Sequence, residues 1–100
     1  MEQCAIVVDP DGREVVLLGR IWREKILGEH PELRPHLEDV LGTVSAPDHA
    51  EPDPIWARRR YYRGDLGPSR WLIVVVSFEQ EPGRIVTAFP TRKDPEQWHP

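Results

Sequence analysis

Within residues 55 to 63, IWARRRYYR, four arginines and three aromatic side chains share nine positions. Guanidinium groups grip phosphates through paired hydrogen bonds and aromatic faces stack on bases, so the stretch has the chemistry of one wall of a nucleic-acid site. Successive side chains of an extended strand face opposite ways. Arg59, Tyr61 and Arg63 therefore share one face, and Arg58, Arg60 and Tyr62 the other. One face should meet the core. An unpaired guanidinium is costly to bury, so the arginines are expected in solvent or against an anion, either a phosphate or a carboxylate of the chain itself. With 17 Asp and Glu residues, Glu24, Glu38, Asp39 and the acidic stretch before the strand are the internal candidates. The tyrosines are also ordinary strand formers.

His30 is the second candidate. Pro31 pushes it out of helical conformation, which leaves an imidazole on a bend between elements, suited to general acid or base work near neutral pH. A lone histidine is more often structural, and His36, His49 and His99 read as solvent-facing. Thr87, in RIVTAFPT, is expected on the strand face of Ile85, Phe89 and Thr91. A hydroxyl in a buried strand needs a hydrogen-bond partner, and a phosphate oxygen is one, although threonine is also a favoured strand residue. The histidines at 30, 36, 49 and 99 make no HxxxH spacing, and Cys4 is the only cysteine. No metal motif, cofactor motif, glycine-rich phosphate loop or Gly-x-Ser-x-Gly elbow is present.

The elements that must position these residues follow from patterning. Ala5–Val8 and Val15–Leu18 flank DPDG and read as a hairpin, ended by Gly19. Ile21 to Glu29 reads as a short helix with Trp22, Ile26 and Leu27 on its apolar side. Leu33, Leu37, Val40, Leu41 and Val44 form the stripe of a second helix, ending before Pro47. The connection SAPDHAEPDP is too rigid and acidic for a core element, with room for a short edge strand. Three strands follow, Trp56–Arg63, Trp71–Phe78 and Arg84–Thr91. The middle one, WLIVVVSF, lacks alternation and reads as buried on both faces. Residues 93–100 read as a frayed tail. The order predicts an α+β fold, with an N-terminal hairpin (4–19) and two helices packed on one face of a curved antiparallel sheet.

One hundred residues suit a single domain spanning 1–100. The net charge of −4 argues against a surface that grips nucleic acid everywhere, yet residues 1–57 hold 5 cations against 12 acids while residues 58–100 hold 8 against 5. A basic region on an acidic body is expected to take a short stretch of single-stranded RNA. No basic, apolar leader and no run of about eighteen apolar residues occurs. The expectation is a chain of the reducing cytoplasm without a membrane segment.

Together ILGEHPEL, RRRYYR, WLIVVVSF and RIVTAFPT resemble the phage- and toxin-associated members of the barnase–EndoU–colicin–RelE (BECR) superfamily of small ribonucleases, over roughly residues 22–92. The resemblance implies metal-independent RNA cleavage by attack of the ribose 2′-hydroxyl, with no cofactor and with an immunity or antitoxin protein as partner. It implies His30 as acid or base, Arg60 as charge stabiliser and Thr87 as a phosphate contact. Tyr62 would stack on a base or donate a proton, and Arg58, Arg59, Tyr61, Arg63 and Thr91 would contact substrate. Where related sequences carry a second histidine, Lys25 stands in EKI. Lysine serves as a base near neutral pH only when burial or nearby cations lower its pKa. Two other readings stand beside the ribonuclease. One is a non-catalytic RNA- or protein-binding module on the same scaffold; the other is a domain whose arginines satisfy only its own acids.

Overall fold

The chain opens with a hairpin whose turn is built by one side chain. Asp9 accepts hydrogen bonds from the backbone N–H groups of Asp11 (3.0 Å) and Arg13 (2.9 Å), and Gly12 takes a φ of 83°, where L-residues are strained. The turn joins β1 (Gln3–Val8) to β2 (Glu14–Leu18) in antiparallel register. The computed structural model describes residues 3–66 and 69–98. His99, two residues of the GDLGPS connection and the end of the tail lie outside that description.

A π-helical stretch, Ile21–Ile26, runs into the single turn of α1 (Leu27–Glu29), and His30 leaves helical geometry at φ −135°, ψ 71° before Pro31. The second apolar stripe is split. Pro31–His36 forms a tighter 3₁₀ segment around Pro35, which cannot donate a helical hydrogen bond, and α-helix resumes only in α2 (Leu37–Ser45). Leu33 and Val40 still reach the core from these two pieces.

Four strands follow: β3 (His49–Pro52), β4 (Arg58–Gly64), β5 (Trp71–Ser77) and β6 (Gly83–Thr91). The six strands form one sheet in the order β1-β2-β6-β5-β4-β3. The expected α+β architecture holds, with helices on one face of a curved sheet. Its wholly antiparallel character is corrected at one seam, where β2 and β6 pair in parallel through Val15–Gly83 and Val16–Arg84. That seam joins segments remote in sequence, so local patterning carried no record of it.

Strand β5 is buried on both sides, as its unbroken apolar run requires. Leu72, Val74 and Val76 face the helices, while Trp71, Ile73 and Val75 face away, none more than 6% exposed. A bulge interrupts its pairing with β6: Val75 lies opposite Thr87, but Val76 lies opposite Ile85, leaving Val86 extra. The bulge corrects the expected common face of Ile85 and Thr87. Ile85 turns into the helix-side core, and Thr87, Phe89 and Thr91 line the opposite face.

The hairpin tip is tied across the sheet. Tyr61 Oη of β4 donates to Asp9 Oδ2 at 2.7 Å, and Arg13 Nη2 meets the same oxygen at 2.9 Å while its guanidinium lies 4.0 Å from the Phe78 ring centre. Since β1 and β4 lie far apart in the strand order, this bond requires the sheet to curl, and α2 packs against both strands within the curl. Burial alone would raise the Asp9 carboxyl, but the bonds from Tyr61 and Arg13 outweigh it and hold the group below its ordinary value. Burial, and then the bond to Asp9, push the Tyr61 hydroxyl upward, so it stays a donor. Tyr61→Phe leaves a buried carboxylate one donor short. Urea unfolding should show a loss of about 1–3 kcal/mol at unchanged m value.

Candidate functional site

The two faces of β4 separate the candidate residues. Arg59, Tyr61 and Arg63 lie on the helix side. There Tyr61 is 1% exposed and bonded to Asp9, and Arg63 Nη1 donates to the Gly42 carbonyl of α2 at 3.5 Å. The expected stacking of a base on Tyr61 is corrected, because its ring is closed under the hairpin. Arg58, Arg60 and Tyr62 lie on the face away from the helices, with Thr87, Phe89 and Thr91 of β6.

On that face the deciding residue is Glu51, from the acidic stretch before the strand that was one source of internal partners for the arginines. Strand β3 places it opposite Arg60, and its side chain is only 1% exposed. Arg60 Nη2 meets Glu51 Oε2 at 3.0 Å, Tyr62 Oη donates to the same oxygen at 3.4 Å, and His49 Nε2 lies 2.9 Å from Oε1. The Gln97 N–H donates to Oε1 at 3.2 Å. Burial pushes the Glu51 carboxyl up, but the Gln97 and His49 bonds and the Arg60 charge outweigh it and hold the group below its ordinary value. The Tyr62 hydroxyl is pushed up to about 12, first by burial.

Three expectations are corrected by this cluster. Arg60 is an internal ion-pair partner, with Asp53 (3.6 Å) and Glu96 (3.9 Å) also near it, and is not a free charge stabiliser. Tyr62 is 2% exposed, so neither a stacked base nor a proton exchanged with substrate can reach it. His49 is not solvent-facing: it bonds Glu51 and packs its ring 5.8 Å from that of Trp98. Nor does the tail fray within the described residues. Pro95 is buried, and Trp98 packs on Trp71 with ring centres 5.1 Å apart.

The remainder of the face is less occupied. The His30 ring stacks on Phe89 (6.1 Å, 29° between planes), and its Nδ1 lies 3.5 Å from Glu32 Oε2. This brings His30 from the end of α1 to the row of Thr87, Phe89 and Thr91. The expected hollow shared by His30 and the arginine strand is corrected: the hollow beside Phe89 is small, about 140 Å³, and is lined by Arg60, Tyr62, Phe89, Thr91 and Lys93 together with Asp94 and Glu96, without His30. Its cations and carboxylates balance. Lys25, on the π-helical stretch, is exposed and pairs with Glu29 at 2.7 Å. His36 pairs with Asp39 at 2.8 Å on the second helical segment.

The Nε atoms of Arg58 and Arg60 are both buried without a hydrogen-bond partner, but Arg58 differs in that among the described residues no carboxylate pairs with it. It lines a second, larger hollow of about 350 Å³ with Arg20, Arg84, Ser77 and Glu79. Neither Arg20 nor Arg84 stood out in the sequence, since no local pattern marks them as neighbours of Arg58. Among the described residues no group of three His, Cys, Asp or Glu side chains comes together in a way that could hold a metal ion, and no helix is long and apolar enough to cross a membrane. No protein-family model, curated protein or solved structure matches the chain.

The Glu51 cluster carries a pH signature. Glu51 and Asp9 titrate below their ordinary values of 4.5 and 3.8 in the fold, so below those values the unfolded chain binds more protons than the folded one. Stability from these carboxylates is complete above about pH 4.5 and falls as the pH drops further. Urea midpoints measured from pH 7 to pH 3 should decline on the acid side. Glu51→Gln should cost about 3 kcal/mol at pH 7, by removing the buried charge that Arg60 pairs with at 3.0 Å, and should flatten that decline.

Proposed function

We propose that this chain is a small RNA-binding domain that cleaves its substrate by ribose 2′-hydroxyl attack. The observation that carries the reading is the stacking of His30 on Phe89, which puts an imidazole over the row of β6 that also holds Thr87 and Thr91, on the sheet face that bears Arg58. Further support comes from the resemblance of ILGEHPEL and RIVTAFPT to BECR ribonucleases. In the step itself the 2′-oxygen attacks phosphorus, the bond to the 5′-oxygen breaks, and a 2′,3′-cyclic phosphate and a 5′-hydroxyl result. Neutral His30 accepts the 2′ proton at Nε2, with Glu32 at Nδ1 to orient the ring. Water supplies the proton to the departing oxygen. Thr87 contacts the phosphate, and guanidinium groups offset its added charge.

The second reading, a non-catalytic RNA-binding module, is favoured by a specific pair of contacts. Lys25 is held by Glu29 and Arg60 by Glu51, so two of the groups that the cleavage reading would use are engaged inside the chain. One assay separates the two. Labelled single-stranded RNA is incubated with the purified chain in EDTA. Cleavage predicts cyclic-phosphate fragments, reduced at least a hundredfold by His30→Ala; a salt-dependent mobility shift without fragments assigns the chain to binding alone.

A further inference from the structure

We propose that the hollow between Arg20, Arg58 and Arg84 is an anion subsite that takes a phosphodiester group of single-stranded RNA. The assignment rests on the RNA-binding reading above and names where on that face a backbone phosphate sits.

The argument begins with charge balance. In the hollow beside Phe89, Arg60 and Lys93 are met by Asp94 and Glu96, and Arg60 is further neutralised by Glu51. The hollow at the start of β6 has three guanidinium groups on its wall against one carboxylate, Glu79. Glu79 is also engaged by the Ser77 hydroxyl (3.3 Å), and Arg20 shares its charge with Glu24 at 3.5 Å, both side chains being largely exposed. Arg58 and Arg84 have no carboxylate partner among the described residues. An anion entering here gains two guanidinium groups, Arg58 and Arg84, that no carboxylate pairs with among the described residues.

Arg58 supplies the second observation. A buried guanidinium N–H without an acceptor is costly, and a phosphate oxygen is an acceptor of the strength required. The register makes the convergence structural. Arg58 lies opposite Ser77 and Ser77 opposite Arg84, so three adjacent strands present these groups on one face. Leu18, Ile21 and Val86 add an apolar floor, which suits a ribose or base attached to the phosphate better than a free inorganic ion. A single strand running along β6 from this hollow passes Thr87 and reaches Phe89, where His30 stands.

Arginine Nε–Hε resonances in ¹H–¹⁵N spectra test the assignment. The probes are inorganic phosphate and a 2′-deoxy dinucleoside monophosphate, which lacks the attacking hydroxyl and stays intact whether or not the chain is a nuclease. The Arg58 resonance should shift saturably with the dinucleotide, more tightly than with phosphate, and Arg84→Gln should weaken dinucleotide binding about tenfold. Both arginines are half-buried, but the unpartnered buried Nε belongs to Arg58, so the Arg84 variant leaves that group in place. An Arg58 resonance unmoved by the dinucleotide, or binding unchanged in Arg84→Gln, overturns the subsite. Saturable binding with no RNA cleavage keeps the subsite and removes the nuclease.

Discussion

A carboxylate with almost no solvent contact has to find its hydrogen bonds and its counter-charge inside the protein, and Glu51 is that carboxylate here. Meeting its demand organises one whole side of the sheet. Arg60 and Tyr62 reach it from the neighbouring strand, His49 from its own strand, and Gln97 from the returning tail. The rings of Tyr62, Trp71 and Trp98 then close over the cluster and keep water from it. Edge strand, central strands and C-terminal segment are thereby held as one unit.

That demand also decides what the face can offer to a ligand. Groups used by Glu51 are unavailable for recognition, which removes Arg60 and Tyr62 despite their place in the most conspicuous stretch of the sequence. What stays open lies along β6 and the start of β4: His30 over Phe89, the Thr87 and Thr91 hydroxyls, and the Arg58 and Arg84 guanidinium groups. The bulge at Val86 makes this row, because strict alternation from Ile85 without a bulge would turn Thr87 into the helix-side core. Guanidinium groups from β4 and β6 and the His30 imidazole from the end of α1 thus border one face of the sheet.

On the other side, the curl of the sheet depends on a second buried carboxylate. Asp9 both shapes the hairpin turn and receives the Tyr61 hydroxyl, so one residue sets a local conformation and a long-range contact together. The two carboxylates divide RRRYYR between them: Tyr61 serves Asp9, while Arg60 and Tyr62 serve Glu51. Strand alternation is the reason, since adjacent residues must face opposite sides.

Local patterning determined the element order, the hairpin turn at DPDG, the doubly buried β5 and the bend at His30, because these follow from side-chain periodicity and backbone preference within a few residues. Two strand faces for the arginines and tyrosines were also legible. Which face each one served was settled by folding, as were the parallel seam of β2 with β6, the slip at Val86, the docking of the tail and the meeting of Arg20, Arg58 and Arg84. Each of those joins segments distant along the chain, where the partner of a charge depends on which carboxylate the packed sheet brings opposite it.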